Sequence, residues 1–174
     1  MNTVVKAYPE MHYRKGSIAD LQQLLRLGIE AWSGFEKDMA AADWQRLSGS
    51  IHSEQTYREL LSVSECLVCV TGEGRIVGMV FLVPQGNPTD LYPSDWSYIR
   101  FLTVSPDFGG RGIGRKLTED CIAWARRNGE TVVALHTSEM MSNARRLYEH
   151  LGFSIVREIE QRLGKRYWLY KLEL

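Results

Sequence analysis

Between Val104 and Gly114 the chain carries four glycines, Gly109, Gly110, Gly112 and Gly114, and this stretch joins a strand-like run directly to a helical period. Such a turn leaves the first amides of the helix without carbonyl partners, and the positive end of the helix dipole points the same way. An anion, most naturally a phosphate, fits that spot. Side chains at Gly110, Gly112 or Gly114 would fill the cradle or oppose its backbone angles. Two phosphate readings fail on spacing. A nucleoside triphosphate loop needs Lys and then Ser or Thr after the second framing glycine, but Gly114 is followed by Arg115 and Lys116. A dinucleotide fingerprint counted from Gly110 and Gly112 ends on Arg115 instead of glycine.

Other residues capable of chemistry are less organised. Cys66 and Cys69 form a C-x-x-C, but they lie in an apolar, strand-like run where residues three apart face opposite sides, so core thiols are expected. His12, His52, His136 and His150 show no metal-ligand spacing, and no metal is expected. The 21 basic and 21 acidic side chains cancel, which gives no net field toward nucleic acid or an anionic membrane. No stretch approaches the roughly 18 apolar residues of a transmembrane helix, and 1–16 lacks the apolar core of a signal peptide. With three cysteines, an odd number, the chain fits a reducing compartment, and a cytoplasmic location is expected.

The elements that position the glycine loop follow from periodicity. Residues 11–14 are extended, and Ser17 with Asp20 resembles a capping box that opens a helix near Ile18, with Leu21, Leu24, Leu25, Gly28 and Trp32 on its buried face. One or two further helical pieces are expected in 33–61. Strand-like runs at 66–71 and 75–83 flank Gly72-Glu73-Gly74 and predict an antiparallel hairpin. A third long strand covers 96–104. A helix over 112–127 follows, then a strand over 131–137 and a short helix over 142–151. Runs at 154–159 and 167–172 close the chain as a hairpin. All 174 residues read as one mixed α/β domain.

With these residues in order, the sequence is similar to the GNAT acetyltransferases. Val104, Pro106 and Gly110-Arg111-Gly112-Ile113-Gly114 resemble that family's coenzyme A pyrophosphate loop. The stretch from Asn143 to Phe153 resembles its second signature, N-x-x-A-x-x-L-Y-x-x-L-G-F. Tyr13-Arg14 and 17–21 resemble its opening strand and helix. The resemblance implies a GNAT fold: a mixed, mostly antiparallel sheet of six to seven strands with about four helices, splayed between the fourth and fifth strands. It also implies acetyl-coenzyme A as co-substrate, held by backbone groups of Leu102, Thr103 and Val104 and by 110–115, from Gly110 to Arg115, with Asn143 either a further contact or an ordinary helix cap. The family loop begins with Gln or Arg where this chain has Gly109, so one side-chain contact is missing.

Carried over residue by residue, the Leu102 amide donates to the thioester oxygen and Tyr148 is the acid toward the leaving sulfur, unless Tyr148 simply packs. Where some members carry a basic Glu, this chain has Tyr98. The base is left open among Tyr98 acting through water, Asp95, His136 and Glu139. Arg100 shares a strand face with Tyr98 and Leu102 in regular alternation, and it either orients an acidic acceptor or pairs with a carboxylate. Trp32, Phe35, Glu36, Met39 and Trp44 are the expected acceptor walls, against the alternative of ordinary core and surface. The expected partners are a small-molecule or peptide amine and, at most, a second copy of the chain in a homodimer. A non-catalytic coenzyme A sensor or scaffold is the alternative, and a site for another phosphorylated metabolite is a third.

Overall fold

The computed structural model describes residues 9–174; part of the signal-peptide reading, at 1–8, lies outside them. Strand β1 (Met11–Lys15) leads into a single 3-10 turn and helix α1 (Leu21–Trp32). The capping box forms: Ser17 Oγ accepts from the Ala19 amide at 3.3 Å, and Asp20 Oδ2 accepts from the Ser17 amide at 2.9 Å. Arg14 grips the same carboxylate through two bonds of 2.9 and 2.8 Å, which ties β1 to the helix entry.

The ambiguous segment after Trp32 resolves into a 3-10 stretch and two helices, α2 (Ala41–Ile51) and α3 (Glu54–Val63), capped at Ser53. Strands β2 (Glu65–Thr71), β3 (Ile76–Val83) and β4 (Ser97–Val104) follow, then α4 (Ile113–Arg127), β5 (Val132–Ser138), α5 (Ser142–His150), β6 (Ser154–Arg162) and β7 (Lys165–Glu173). Among the described residues five helices therefore stand where about four were expected.

The seven strands form one sheet in the order β1-β2-β3-β4-β5-β7-β6. Every pairing is antiparallel except β4 with β5. All eight residues of β3 are buried, as expected for a central strand covered on both faces. One face packs α4 and α5, through Leu117 and Tyr148, over Val77, Ile99 and Val133, and the other packs α1 and α3 over Val68, Met79 and Phe81. Cys69 faces the first cluster and Cys66 the second, as the strand period requires, and both thiols are buried and unbridged. Gly78 lets α4 approach the sheet, because a Cβ there would come within 2.6 Å of Ile113.

Two irregularities shape one end of the sheet. Between β3 and β4 the register shifts after Met79↔Thr103 to Phe81↔Arg100, so Phe101 and Leu102 together oppose Val80. This is a β-bulge, and Phe101 takes a φ of +50° to make it. The sequence expectation that Leu102 shares a face with Arg100 is corrected by it. Ile99 and Leu102 both pack toward α4, while Phe101 turns to the α1 side. Between β4 and β5 only Ser97↔Val133 and Tyr98↔Ala134 pair, after which the strands part.

Candidate active site

The gap between the diverging ends of β4 and β5 is a cleft of about 520 Å³. Its floor is Ile99 to Leu102 on one side and Leu135 to Ser138 on the other. Helix α5 contributes Ala144 and Tyr148, the end of β6 contributes Arg162, and the β6–β7 turn contributes Leu163. Opposite them stand Trp32 at the end of α1 and Arg46 on α2. The turn residues Leu163 and Gly164 have φ of +52° and +67°, which suits a tight hairpin turn between twisted strands. A Cβ on Gly164 would lie 2.9 Å from the Asp43 carboxylate, so the hairpin tip rests against α2.

Past the cleft, β4 runs through a 3-10 turn (Pro106–Phe108) into the glycine loop. Gly110 and Gly112 have φ of +73° and +76°, a region that side chains rarely adopt. Gly112 is the N-cap of α4, and the first intrahelical bond runs from the Lys116 amide to the Gly112 carbonyl. No side chain caps this 15-residue helix, so its leading amides face outward for an anion. Phe108 braces the loop beneath two guanidinium groups, Arg75 at 5.6 Å and Arg111 at 4.6 Å. Arg115 is engaged by Glu119 at 2.8 Å, which leaves its backbone amide as its clearest offering to a ligand. Gly114 needs no special angle, and a Cβ there would make ordinary contact with Leu147 and Val104.

Tyr148 lines the cleft yet is buried, and its ring meets Phe153 edge-on at 5.7 Å. Burial pushes its phenol pKa well above the usual value, with smaller contributions from Cys121 and Tyr92, so it stays protonated. No protein group among the described residues hydrogen-bonds its hydroxyl. His136 also lines the cleft and shares a 2.6 Å hydrogen bond with Tyr92. Burial, then the charges of Arg100 and Arg162, push its pKa down to about 3 and keep the imidazole neutral.

Other expected residues lie elsewhere. Tyr98 stacks on Tyr92 at 4.1 Å and donates its hydroxyl to the Asn87 carbonyl at 3.1 Å, outside the cleft lining. Tyr98 keeps to Arg100's face of β4 but lies where β4 and β5 are still paired, and there the loop at 84–96 covers its ring. Asn143 is exposed on α5. The signature aligned on Ala144, Leu147 and Tyr148 puts its Asn three residues before Ala144, at Met141, and it is Met141 that lines the cleft. Trp32 and Arg100 reach the cleft; Phe35 packs on Trp32 at 5.5 Å, and Phe35, Glu36, Met39 and Trp44 are not lining residues. Glu139 accepts from the Arg166 amide at 3.1 Å, and neither it nor Asp95 lines the cleft. Arg46, Arg162 and Tyr167 complete the walls and carried no sequence signal, since each reaches the cleft only through tertiary packing.

Comparison with known proteins places this geometry. The chain is 28% identical over 128 residues to a probable N-acetyltransferase, camello, from Xenopus tropicalis, an alignment covering 66% of this chain and 55% of that one. The chain spans about half the length of the curated relatives it matches. Among solved structures it is similar in fold to the PaiA N-acetyltransferase from Thermoplasma acidophilum in complex with coenzyme A, with a TM-score of 0.76, 15% identity and coverage of 95% and 99% of the two chains. A GCN5-related N-acetyltransferase from Kribbella flavida gives a TM-score of 0.73, 21% identity and coverage of 94% and 98%. Residues 29–153, from the last turn of α1 to the residue before β6, match the model of the Acetyltransferase (GNAT) family, and the chain belongs to that family.

Proposed function

We propose that the chain is an acetyl-coenzyme A-dependent N-acetyltransferase, moving acetyl directly to a primary amine within a ternary complex. The observation that carries this reading is the continuity of β4: its bulged, unpaired edge floors the cleft, and the same strand delivers the uncapped N-terminus of α4 a few residues later. A long ligand with a diphosphate at one end and a thioester at the other suits such a path. The leading amides of α4 and the loop amides from Gly110 to Arg115 hold the diphosphate. The free edge of β4 around Leu102 to Val104 pairs with the pantetheine amides as a strand would.

In the reaction a C–N bond forms as the C–S bond breaks; the amine gives up a proton and the thiolate gains one. The Leu102 amide, at the bulge, stabilises the oxyanion. Tyr148, kept protonated by burial, donates to the sulfur. The amine's proton leaves to water at the cleft mouth, because no carboxylate among the described residues lines the cleft. That same lack supports the second reading, a coenzyme A sensor without turnover. The proposal extends to a single domain over 1–174 and a cytoplasmic protein, alone or as a homodimer.

Isothermal titration with acetyl-coenzyme A and thiol release against an amine panel test this together. Micromolar binding with amine-dependent release is expected. Binding without release across the panel would favour the sensor, and absence of binding would end both readings.

A further inference from the structure

The cleft's charge is one-sided. Arg46 from α2, Arg100 from β4 and Arg162 at the end of β6 all line it, and among the described residues neither Asp nor Glu does. No carboxylate lies within ion-pair distance of these three guanidinium groups among the described residues. Outside the cleft five arginines form ion pairs, Arg14 with Asp20, Arg58 with Glu54, Arg75 with Glu30, Arg115 with Glu119 and Arg166 with Glu158, while others such as Arg126, Arg127 and Arg146 stand exposed on helix surfaces without one. What sets the cleft apart is that three converge on it. A chain with equal numbers of basic and acidic side chains has thus left a local excess of positive charge at one cavity. The neutral imidazole of His136, shifted downward in part by Arg100 and Arg162, shows that both charges are felt inside it.

These groups are badly placed for the coenzyme's phosphates. From Arg100 to Val104 the strand covers roughly 13 Å before the glycine loop begins, at about 3.3 Å per residue. They stand instead on three elements around the acceptor end of the cleft. A cationic polyamine would meet repulsion there, whereas a guanidinium fork matches a carboxylate with two parallel hydrogen bonds.

Resting on the acetyltransferase reading above, we infer that the acceptor is an amino acid or similar small amine carrying a carboxylate, which Arg100, with Arg162 and Arg46, binds while the amine faces the thioester. Arg100 is the half-buried member and sets orientation; Arg46 and Arg162 are exposed at the rim and draw the anion in. The order of preference then follows. Acids precede their carboxamides, and polyamines come last.

The test measures kcat/KM by thiol release for matched pairs, 4-aminobutyrate against 4-aminobutanamide and glutamate against glutamine, with 2-aminoethylphosphonate and spermidine alongside. Wild type is expected to prefer each acid over its amide by at least about 10-fold. In Arg100→Gln and in Arg162→Gln, the latter an exposed position that folding tolerates, that ratio falls toward one. Binding is read separately by titrating glutarate, which has no amine, into protein saturated with coenzyme A. Glutarate should bind wild type and lose affinity in both variants. Equal use of acid and amide, or preference for spermidine or for the phosphonate, overturns the carboxylate inference while leaving acetyl transfer intact. Release with no amine at all, together with no glutarate binding, overturns both.

Discussion

The Tyr92 hydroxyl and Nδ1 of His136 lie 2.6 Å apart, joining the loop between β3 and β4 to the strand that forms one wall of the cleft. Tyr92 is itself almost wholly buried and stacked on Tyr98, so the imidazole is held by a rigid aromatic pair.

His136 should therefore couple stability to pH. Its folded pKa is about 3 against 6.5 in the unfolded chain, so between those values the unfolded state holds a proton that the folded state refuses. The contribution is fully present above about pH 6.5 and is lost as pH falls, with a limiting slope of ~1.4 kcal/mol per pH unit. Urea denaturation from pH 7.5 to 4.5 should show this loss in wild type and a shallower one in His136→Gln. Parallel curves would return His136 to an ordinary pKa.

Tyr148→Phe should lower turnover by about 10²-fold or more while coenzyme A affinity changes by about 2-fold at most, since the ring still packs on Phe153. Because burial raises the phenol's pKa, the wild-type rate should show no alkaline decline from Tyr148 below about pH 10. Full turnover in the variant would assign the residue to packing alone.

At Gly112 the φ of +76° admits a β-branched side chain only under strain, and the new methyls would project into the space beside the helix amides. Gly112→Val should weaken coenzyme A binding at least about 10-fold by calorimetry. The exposed helical Gly49, with open space around it, serves as control, and Gly49→Ala should raise stability by up to ~1 kcal/mol.

Asp20 holds both the capping box and the Arg14 fork, and its pKa is lowered chiefly by the Arg14 hydrogen bonds. Asp20→Ala should cost about 1–3 kcal/mol at pH 7. A lowered carboxylate pKa means that this stability is present above the unfolded value of 3.8 and is lost as pH falls through the folded value. The gap between variant and wild type should accordingly narrow below about pH 3.8. An equal gap at pH 7 and pH 2.5 would show that the carboxylate's charge is irrelevant.

Periodicity made most elements legible. Ser17 and Asp20 announced the entry to α1, and the alternation around Cys66 and Cys69 told which thiol faces which helix layer. The glycine loop was readable because φ of +73° and +76° demands a residue type that spacing reveals. What spacing conceals is the bulge. Phe101 is an ordinary strand residue by propensity, yet its φ of +50° reverses the faces of everything after it, and so Leu102 was assigned to the wrong side. The hairpin of β6 and β7 was expected, but its strands run further than the apolar runs showed and the place of its turn was not legible, since Leu163 gives no turn signal although it adopts a left-handed angle. Arg46 and Arg162 are separated by more than a hundred positions, and only the docking of the hairpin tip against α2 makes them neighbours of one space.

Two residue pairs, Ser97 with Val133 and Tyr98 with Ala134, are all that stitch β4 to β5. Mechanically the molecule is two leaves on a short hinge, four strands in one and three in the other. A guest lying in the wedge and bonded to both leaves completes the missing seam, so occupancy should shut down breathing across it and protect amides on Ile99 to Val104 from deuterium exchange.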